Sequence, residues 1–487
     1  LGQKLGLSEL GLQAGLYGLL LVLMFQGVYW LSWEVLGRNR FLSLLSSFIY
    51  VFHPNLMIQV WHRFVQTAFY FAAALPFLLI FWNRWIQEAK KRDLVIFLII
   101  SIFTASIFST FGFLITFWII LGLHWVVKVF IPWQDKQVLF SSSKRFGVGL
   151  LSWFAVSLWW LWPIFAAAPA VLSAQHTVGE SVANLLALSS QTIAPYTLQG
   201  INPYYLFYEK DWGEIYSHPV FLLIPWLITA GGVWGAWQAL KDKRTVFWGL
   251  LLIIALGIAK GAAAPFGNAF TIIFSKFFVL GVLRNPFEKV GIIIPLAYAI
   301  LIPLGLARFK PRIIIISLYL LVVIAQIFVW GWPFWTGKMF GTAVQPAYVK
   351  VPESYGEVDR WLAGKGNGGR ILHLPLTSSE AIAYKWIQGY KGVEPSQLLF
   401  TSLPSWSQGF NLQYVDDLTK TVQLYLRNLS SDKISGFEDL LQKMNIKYIV
   451  LHMDVLPNDA DVDNPIFIRS VIENLPFLKL VHLNGDL

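Results

Sequence analysis

Near residue 285 the sequence reads Leu283-Arg284-Asn285-Pro286-Phe287-Glu288-Lys289, directly before the apolar stretch 291–307. A guanidinium is a planar fork that can bind two phosphate oxygens at once, and a lysine adds a compact point charge. Pro286 breaks a preceding helix and sets the angle at which the next one starts. A helix over 291–307 would direct its positive N-terminal end at the same place. A lipid phosphate is the natural ligand for Arg284 and Lys289 there, with Glu288 between them. The plainer reading is an interfacial anchor, in which long basic side chains snorkel to headgroup level around a local ion pair. The residues alone leave both open.

Two further groups could do chemistry. Residues 172–218 hold Gln175, His176 and Glu180, then Asn202-Pro203-Tyr204-Tyr205, then Glu209, Lys210, Asp211, Trp212 and Glu214. Carboxylates beside aromatics suit sugars, and a carboxylate can serve as a general base. Glu180 is the residue of most interest, because it follows an apolar span closely and sits near His176. An ordinary solvated loop is the alternative for each residue. The third group is His53-Pro54-Asn55 with His62 and Arg63, read either as an interfacial turn or as part of a ligand site.

Other chemistry is excluded. There is no Cys, so disulfides, thiolate metal sites and Cys nucleophiles are absent. The eight His show no HExxH or other metal-ligand spacing. The GKGNGG run at 364–369 lacks the Lys-Ser/Thr ending of a P-loop and precedes a strand-like segment.

The elements that must position these residues are apolar. Of the 487 residues, 56% are hydrophobic and 13% charged, and mean hydropathy is +0.58. A soluble domain carries about 25% charged residues. Of the 23 Trp, 20 lie before residue 336, and Trp concentrates at membrane interfaces. Residues 1–335 hold 23 Lys+Arg against 11 Asp+Glu, while 336–487 hold 14 against 16. The net charge of +10 therefore belongs to the hydrophobic part and speaks for basic cytoplasmic loops, not for nucleic-acid binding.

A bilayer core of about 30 Å needs about 20 apolar residues in a helix. That ruler predicts ten spans, near 14–31, 41–53, 66–82, 94–110, 112–130, 147–171, 219–238, 246–262, 291–307 and 313–335. The connections 32–40, 83–93, 131–146, 239–245 and 308–312 are basic. Those at 54–65, 110–112, 172–218 and 263–290 are long or poor in Lys and Arg. The two kinds alternate throughout, so the positive-inside rule places the basic set in the cytoplasm. Loops 172–218 and 263–290 and all of 336–487 then lie outside. Residues 1–13 would also be external, yet they lack signal-peptide architecture. A membrane helix and an external loop are therefore expected upstream of residue 1.

The fold expected is an α-helical polytopic membrane protein, with a transmembrane domain over 1–335 and an extracytoplasmic α/β domain over 336–487. In the latter, 370–376 and 447–454 read as strands, and 411–428 and 434–445 as helices. The spans are nearly free of ionisable groups, which argues against a pump and mildly against a secondary transporter. Lys260 and Lys276 sit near the ends of apolar stretches, where they can snorkel.

Tyr50-Val-Phe-His-Pro-Asn55 after a short span, followed by Ala72-Ala-Ala-Leu-Pro76, resembles multi-span bacterial glycosyltransferases of the GT-C superfamily. The similarity is to the α-(1→3)-arabinofuranosyltransferase-like branch. The 283–289 segment before a span and the late Lys447-Tyr-Ile-Val-Leu-His452 strand are also similar to that branch. The resemblance covers most of the chain and implies a polyprenyl-phosphate sugar donor, a glycan or lipid acceptor, and transfer at the outer face of the cytoplasmic membrane. It calls for no organic cofactor and leaves a divalent metal open. It places the catalytic acid in a first external loop, here upstream of residue 1; no Asp or Glu of this sequence matches it by motif, and among the external acids Glu180 is the fallback base. Arg284, Lys289, Glu288, His53 and Asn55 are the expected substrate-binding residues. The competing class is a non-enzymatic factor for lipid or polysaccharide translocation or assembly, which needs the phosphate site but no base.

Overall fold

The computed structural model describes residues 9–62, 65–127, 136–174, 178–203, 216, 218–243, 245–309, 312–336, 349–365, 368–376, 382–387, 389–407, 417–428, 434–457 and 463–485. The chain forms two compact units, Leu1–Pro169 with His176–Phe340, and Ala170–Gln175 with Gly341–Leu487.

The first unit is helical, and helices occupy each of the ten segments expected as spans. Among the described residues three are long and apolar enough to cross a membrane, Gly11–Val35, Gln66–Glu88 and Leu139–Ala166. Shorter apolar helices include Arg40–Val51, Phe111–Trp125, Val246–Ala259 and Ile293–Leu306. A helix apolar on all sides belongs in a core or in lipid, and both occur. Every residue of Ile293–Leu306 is buried, so that helix is the axis of the unit. In Leu139–Ala166 only 22% of the apolar window is buried, and Leu151, Trp159, Trp162 and Phe165 are exposed.

Close backbone approach builds the centre. The helix Pro219–Leu240 packs along Ile293–Leu306. A Cβ on Gly235 would stand 1.9 Å from the Leu301 carbonyl oxygen, and one on Gly232 2.3 Å from the Tyr298 ring. Gly305, one turn beyond Leu301 on the same helix, also approaches Gly235. Small residues permit this contact where no hydrophobic effect drives helices together.

In two of the helices that contain proline, Gln66–Glu88 and Pro219–Leu240, the freed carbonyl has a side-chain donor. Pro76 cannot bond to Ala72, four residues earlier; Tyr50 Oη donates to that Ala72 oxygen at 2.9 Å. Pro225 leaves Phe221 free, and Trp330 Nε1 donates to it at 3.1 Å. Backbone groups in an apolar medium need such partners.

The second unit holds a parallel three-stranded sheet in the order β4-β1-β5, with β1 Arg370–Leu374, β4 Ser405–Trp406 and β5 Ile446–Leu451. A short antiparallel pair, β2 Ile382–Tyr384 and β3 Tyr390–Gly392, lies beside it in sequence. Alternation along β1 sends Ile371 into one apolar cluster, with Tyr355, Trp386, Phe400 and Val450. Leu372 and Leu374 enter another, with Val422, Phe437 and Ile468.

Candidate functional site

The 3-10 helix Phe278–Leu283 stops at Arg284, and Asn285 caps the five-residue helix Pro286–Val290, with Pro286 at its first position. Asn285 Oδ1 accepts from the Glu288 amide at 3.4 Å, and its Nδ2 donates to Glu288 Oε2 at 3.0 Å. Lys289 Nζ donates to Glu288 Oε1. The side chains of this pair are only 16% and 13% exposed.

Lys289 is clamped from the far side as well. Its backbone oxygen accepts from Thr116 Oγ1 at 3.2 Å, and its ammonium lies 5.3 Å from the Phe113 ring centroid. A Cβ on Gly112 would stand 2.5 Å from Lys289 Cγ, so that position admits only glycine without a shift. Lys289 therefore does not snorkel freely, and its charge is met by Glu288. Arg284 is exposed, and its side chain makes no hydrogen bond or ion pair among the described residues. It supplies the uncompensated charge, in fork geometry suited to a phosphate.

The helix expected to begin at 291 and point at Arg284 starts later. Gly291 and Ile292 form a turn, and Ile293–Leu306 follows. Its N-terminal end lies near Asn55 instead, since a Cβ on Gly291 would stand 3.3 Å from Asn55 Nδ2. The reason is local: Pro286 and the Asn285 cap close a separate short helix first.

His53 and Asn55 are 0% and 1% exposed, so they occupy no solvent-facing turn. The helix Arg40–Val51 ends, Gln326 Nε2 donates to the Phe52 oxygen at 2.8 Å, and the chain enters a π-helix over Leu56–His62. His53 Nδ1 accepts from the Asn55 amide at 3.2 Å. Gly200, at φ +69°, closes the cluster; a Cβ there would lie 2.6 Å from His53 Cε1 and 3.3 Å from Asn55 Cβ. The left-handed backbone and the lack of space both require glycine.

Among the described residues, His53 Nε2, both polar atoms of the Asn55 side-chain amide and Gln199 Oε1 are buried without a hydrogen-bond partner. Such atoms cost about 1–3 kcal/mol each when left unpaired, and a native protein normally satisfies them. Donors and acceptors in this mixture match the hydroxyl groups of a polyol.

Part of loop 172–218 is likewise interior. Ser189, Thr192, Thr197 and Gln199 are buried. Thr192 Oγ1 donates to the Lys260 oxygen at 2.8 Å, and Tyr298 Oη to the Leu198 oxygen at 2.7 Å. Lys260 does not snorkel: it is 8% exposed, and its Nζ donates to the Ala263 oxygen at 2.7 Å. Glu180 falls in the helix Val178–Ser189, but its side chain lies outside the described residues. So do Gln175, His176, Arg63, Tyr204, Tyr205, Glu209, Lys210, Asp211, Trp212, Glu214 and the side chain of His62. Among the described residues no three His, Asp or Glu converge as a metal set. Sequence reasoning missed Gln199, Gly200 and Gly291, because nothing in one dimension joins them to Asn55.

The family model described as "Alpha-(1->3)-arabinofuranosyltransferase, N-terminal GT-C domain" matches residues 1–487. Among solved structures, the chain is similar to the arabinofuranosyltransferase AftD from Mycobacteria determined by cryo-EM. The TM-score is 0.61 and the identity 16%, over 99% of this chain and 32% of that one. A mutant form of that enzyme gives a TM-score of 0.57 and 17% identity, over 100% and 33%. At that identity the likeness is one of fold, and this chain spans about a third of the length of the structures it matches. No curated protein matches the chain.

Proposed function

The chain belongs to the family of the α-(1→3)-arabinofuranosyltransferase N-terminal GT-C domain, and from that premise we propose that it is a membrane glycosyltransferase of cell-envelope glycan assembly. Its donor is a polyprenyl-phosphate sugar, used at the outer face of the cytoplasmic membrane. Ten spans carry it, with loops 172–218 and 263–290 and residues 336–487 outside. Arg284 binds the donor phosphate. Lys289 and Glu288 hold that segment in place, and His53 and Asn55 bind sugar hydroxyls of the donor or of a glycan or lipid acceptor. Glu180 is the fallback general base.

One observation supports this most. Segments at 53–55, 199–200 and 284–291 meet, and the element carrying Arg284 at one end brings Gly291 against Asn55 at the other. A charged fork and a buried set of unpaired polar atoms then belong to one continuous structure, as a phosphate-linked sugar requires.

The test is sugar transfer from a polyprenyl-phosphate arabinose by the protein in membranes. Arg284→Ala and Arg284→Lys should both lower turnover, about 10-fold or more, since lysine keeps the charge but loses the fork. Lys91→Ala, at an exposed cation elsewhere, should leave it unchanged. Normal donor binding and turnover by Arg284→Ala would remove the phosphate site. No transfer by the unaltered full-length gene product would favour the translocation or assembly class.

A further inference from the structure

In the second unit a line of hydrogen-bonded side chains runs from a buried carboxylate to a half-buried serine, independent of the site proposed above. Asp454 Oδ2 accepts from Trp386 Nε1 at 2.8 Å and from Tyr355 Oη at 2.9 Å. Tyr355 Oη lies 3.1 Å from His452 Nδ1. His452 Nε2 lies 2.9 Å from His373 Nδ1, and His373 Nε2 lies 3.1 Å from Ser405 Oγ. Tyr355, His373, His452 and Asp454 are each 3% exposed or less.

The fold makes this line. Ser405 pairs with Ile371 across the parallel β4–β1 ladder, and His373 stands two residues beyond Ile371 on the same face. His452 follows the end of β5, its amide bonded to the Leu374 oxygen at 2.8 Å. Open parallel sheets take ligands beyond the carboxyl ends of their strands.

Donor inventory sets the direction of every bond. An indole N–H can only donate, and a carboxylate can only accept. Tyr355 has one hydrogen, given to Asp454, so its oxygen accepts from His452 Nδ1–H. Neutral His452 then has a bare Nε2, which accepts from His373 Nδ1–H. His373 Nε2 is therefore bare and faces the Ser405 hydroxyl. Ser396 Oγ, 3.3 Å from His452 Nε2, donates its own hydrogen to Glu394 Oε1. Burial keeps both imidazoles neutral: it lowers the pKa of His452 to about 3, and with the neighbouring His452 it lowers that of His373.

A surface depression lined by Gln397, Phe400, Thr401, Ser402 and Leu403 includes Ser405. Its wall is fixed by Asp359, which accepts from the Thr401 and Ser402 amides at 3.1 Å each and from Ser402 Oγ at 2.6 Å. Among the described residues no Lys or Arg lines it, so a neutral carbonyl ester suits it better than a phosphate ester.

We propose that Ser405 is a nucleophile toward acyl esters, with His373 as its general base and His452, Tyr355 and Asp454 as positioning residues. Ser405 Oγ bonds to the carbonyl carbon while its proton passes to His373 Nε2. The ester C–O bond then breaks, and the leaving alkoxide takes that proton. Water, deprotonated by His373, releases the acid and restores the serine.

The full-length protein in detergent should be labelled at Ser405 by a fluorophosphonate probe, located by peptide mass spectrometry. Ser405→Ala should abolish that labelling, and His373→Gln should slow it about 100-fold. Tyr355→Phe should lower kcat for 4-nitrophenyl acetate with KM unchanged, which a merely structural role would not do. The Ser405→Cys variant places a single thiol in this Cys-free chain, and its alkylation reads the base directly. Alkylation of Ser405→Cys by iodoacetamide at about pH 7 should be slowed about 10-fold when His373→Gln removes the proton acceptor. Failure to label Ser405, or an alkylation rate in Ser405→Cys that His373→Gln leaves unchanged, overturns the proposal and leaves a purely structural network.

Discussion

His452 keeps its place only while neutral, because a second ring hydrogen would turn the acceptor facing His373 into a donor. Its pKa is pushed down to about 3 by burial, against an ordinary value of 6.5. The unfolded chain therefore binds a proton that the folded unit refuses. The stabilisation is fully present above about pH 6.5 and falls by about 1.4 kcal/mol per pH unit on the way down to about 3. The unfolding midpoint of this unit, followed by Trp fluorescence, should drop over that window, and His452→Asn should make the dependence shallower, leaving the share of buried His373. Some residue roles could be read in one dimension. Arg284 was legible as an available fork because Pro286 and the following span fix its surroundings locally. The unpaired polar atoms of His53 and Asn55 were not, because their burial is produced by Gly200 and Gly291, which lie far away in sequence.

Among the elements, helix ends and breaks were legible and their repair was not. Tyr50 and Pro76 stand out in the sequence as separate landmarks, yet the structure joins them through the Ala72 carbonyl. Tyr50→Phe removes the side-chain donor to that oxygen without changing ring shape. It should cost about 1–3 kcal/mol, measured as a lower thermal midpoint in detergent. Gly235→Ala tests the helix crossing. The added methyl would meet the Leu301 oxygen at 1.9 Å, forcing the helices apart at a cost of about 1–3 kcal/mol. Gly18→Ala, with nothing within 4 Å, should be neutral or slightly stabilising by helix propensity. Equal midpoints for the two glycine variants would contradict the close packing.

For the whole molecule, the alternation of basic and non-basic connections makes a topology that can be tested in this Cys-free chain. Lys243 and Leu398 are both exposed. A membrane-impermeant maleimide applied from outside should label Leu398→Cys and spare Lys243→Cys; the reverse pattern would sink the orientation. The amino-acid sequence by itself determined the membrane character, the helical segments and the change of composition near residue 336. Those properties are sums over neighbouring residues, and hydropathy and charge are additive along a chain. It also located two of the five strands described, at 370–376 and 447–454, since β-rich apolar runs are local. Tertiary structure alone decided that Lys289 is held by Thr116 and Gly112, and that Asn55 meets Gly291. It alone aligned Ser405, His373 and His452. Each of these depends on distances between segments tens or hundreds of residues apart, set by packing and by the hydrogen-bond demands of buried polar groups.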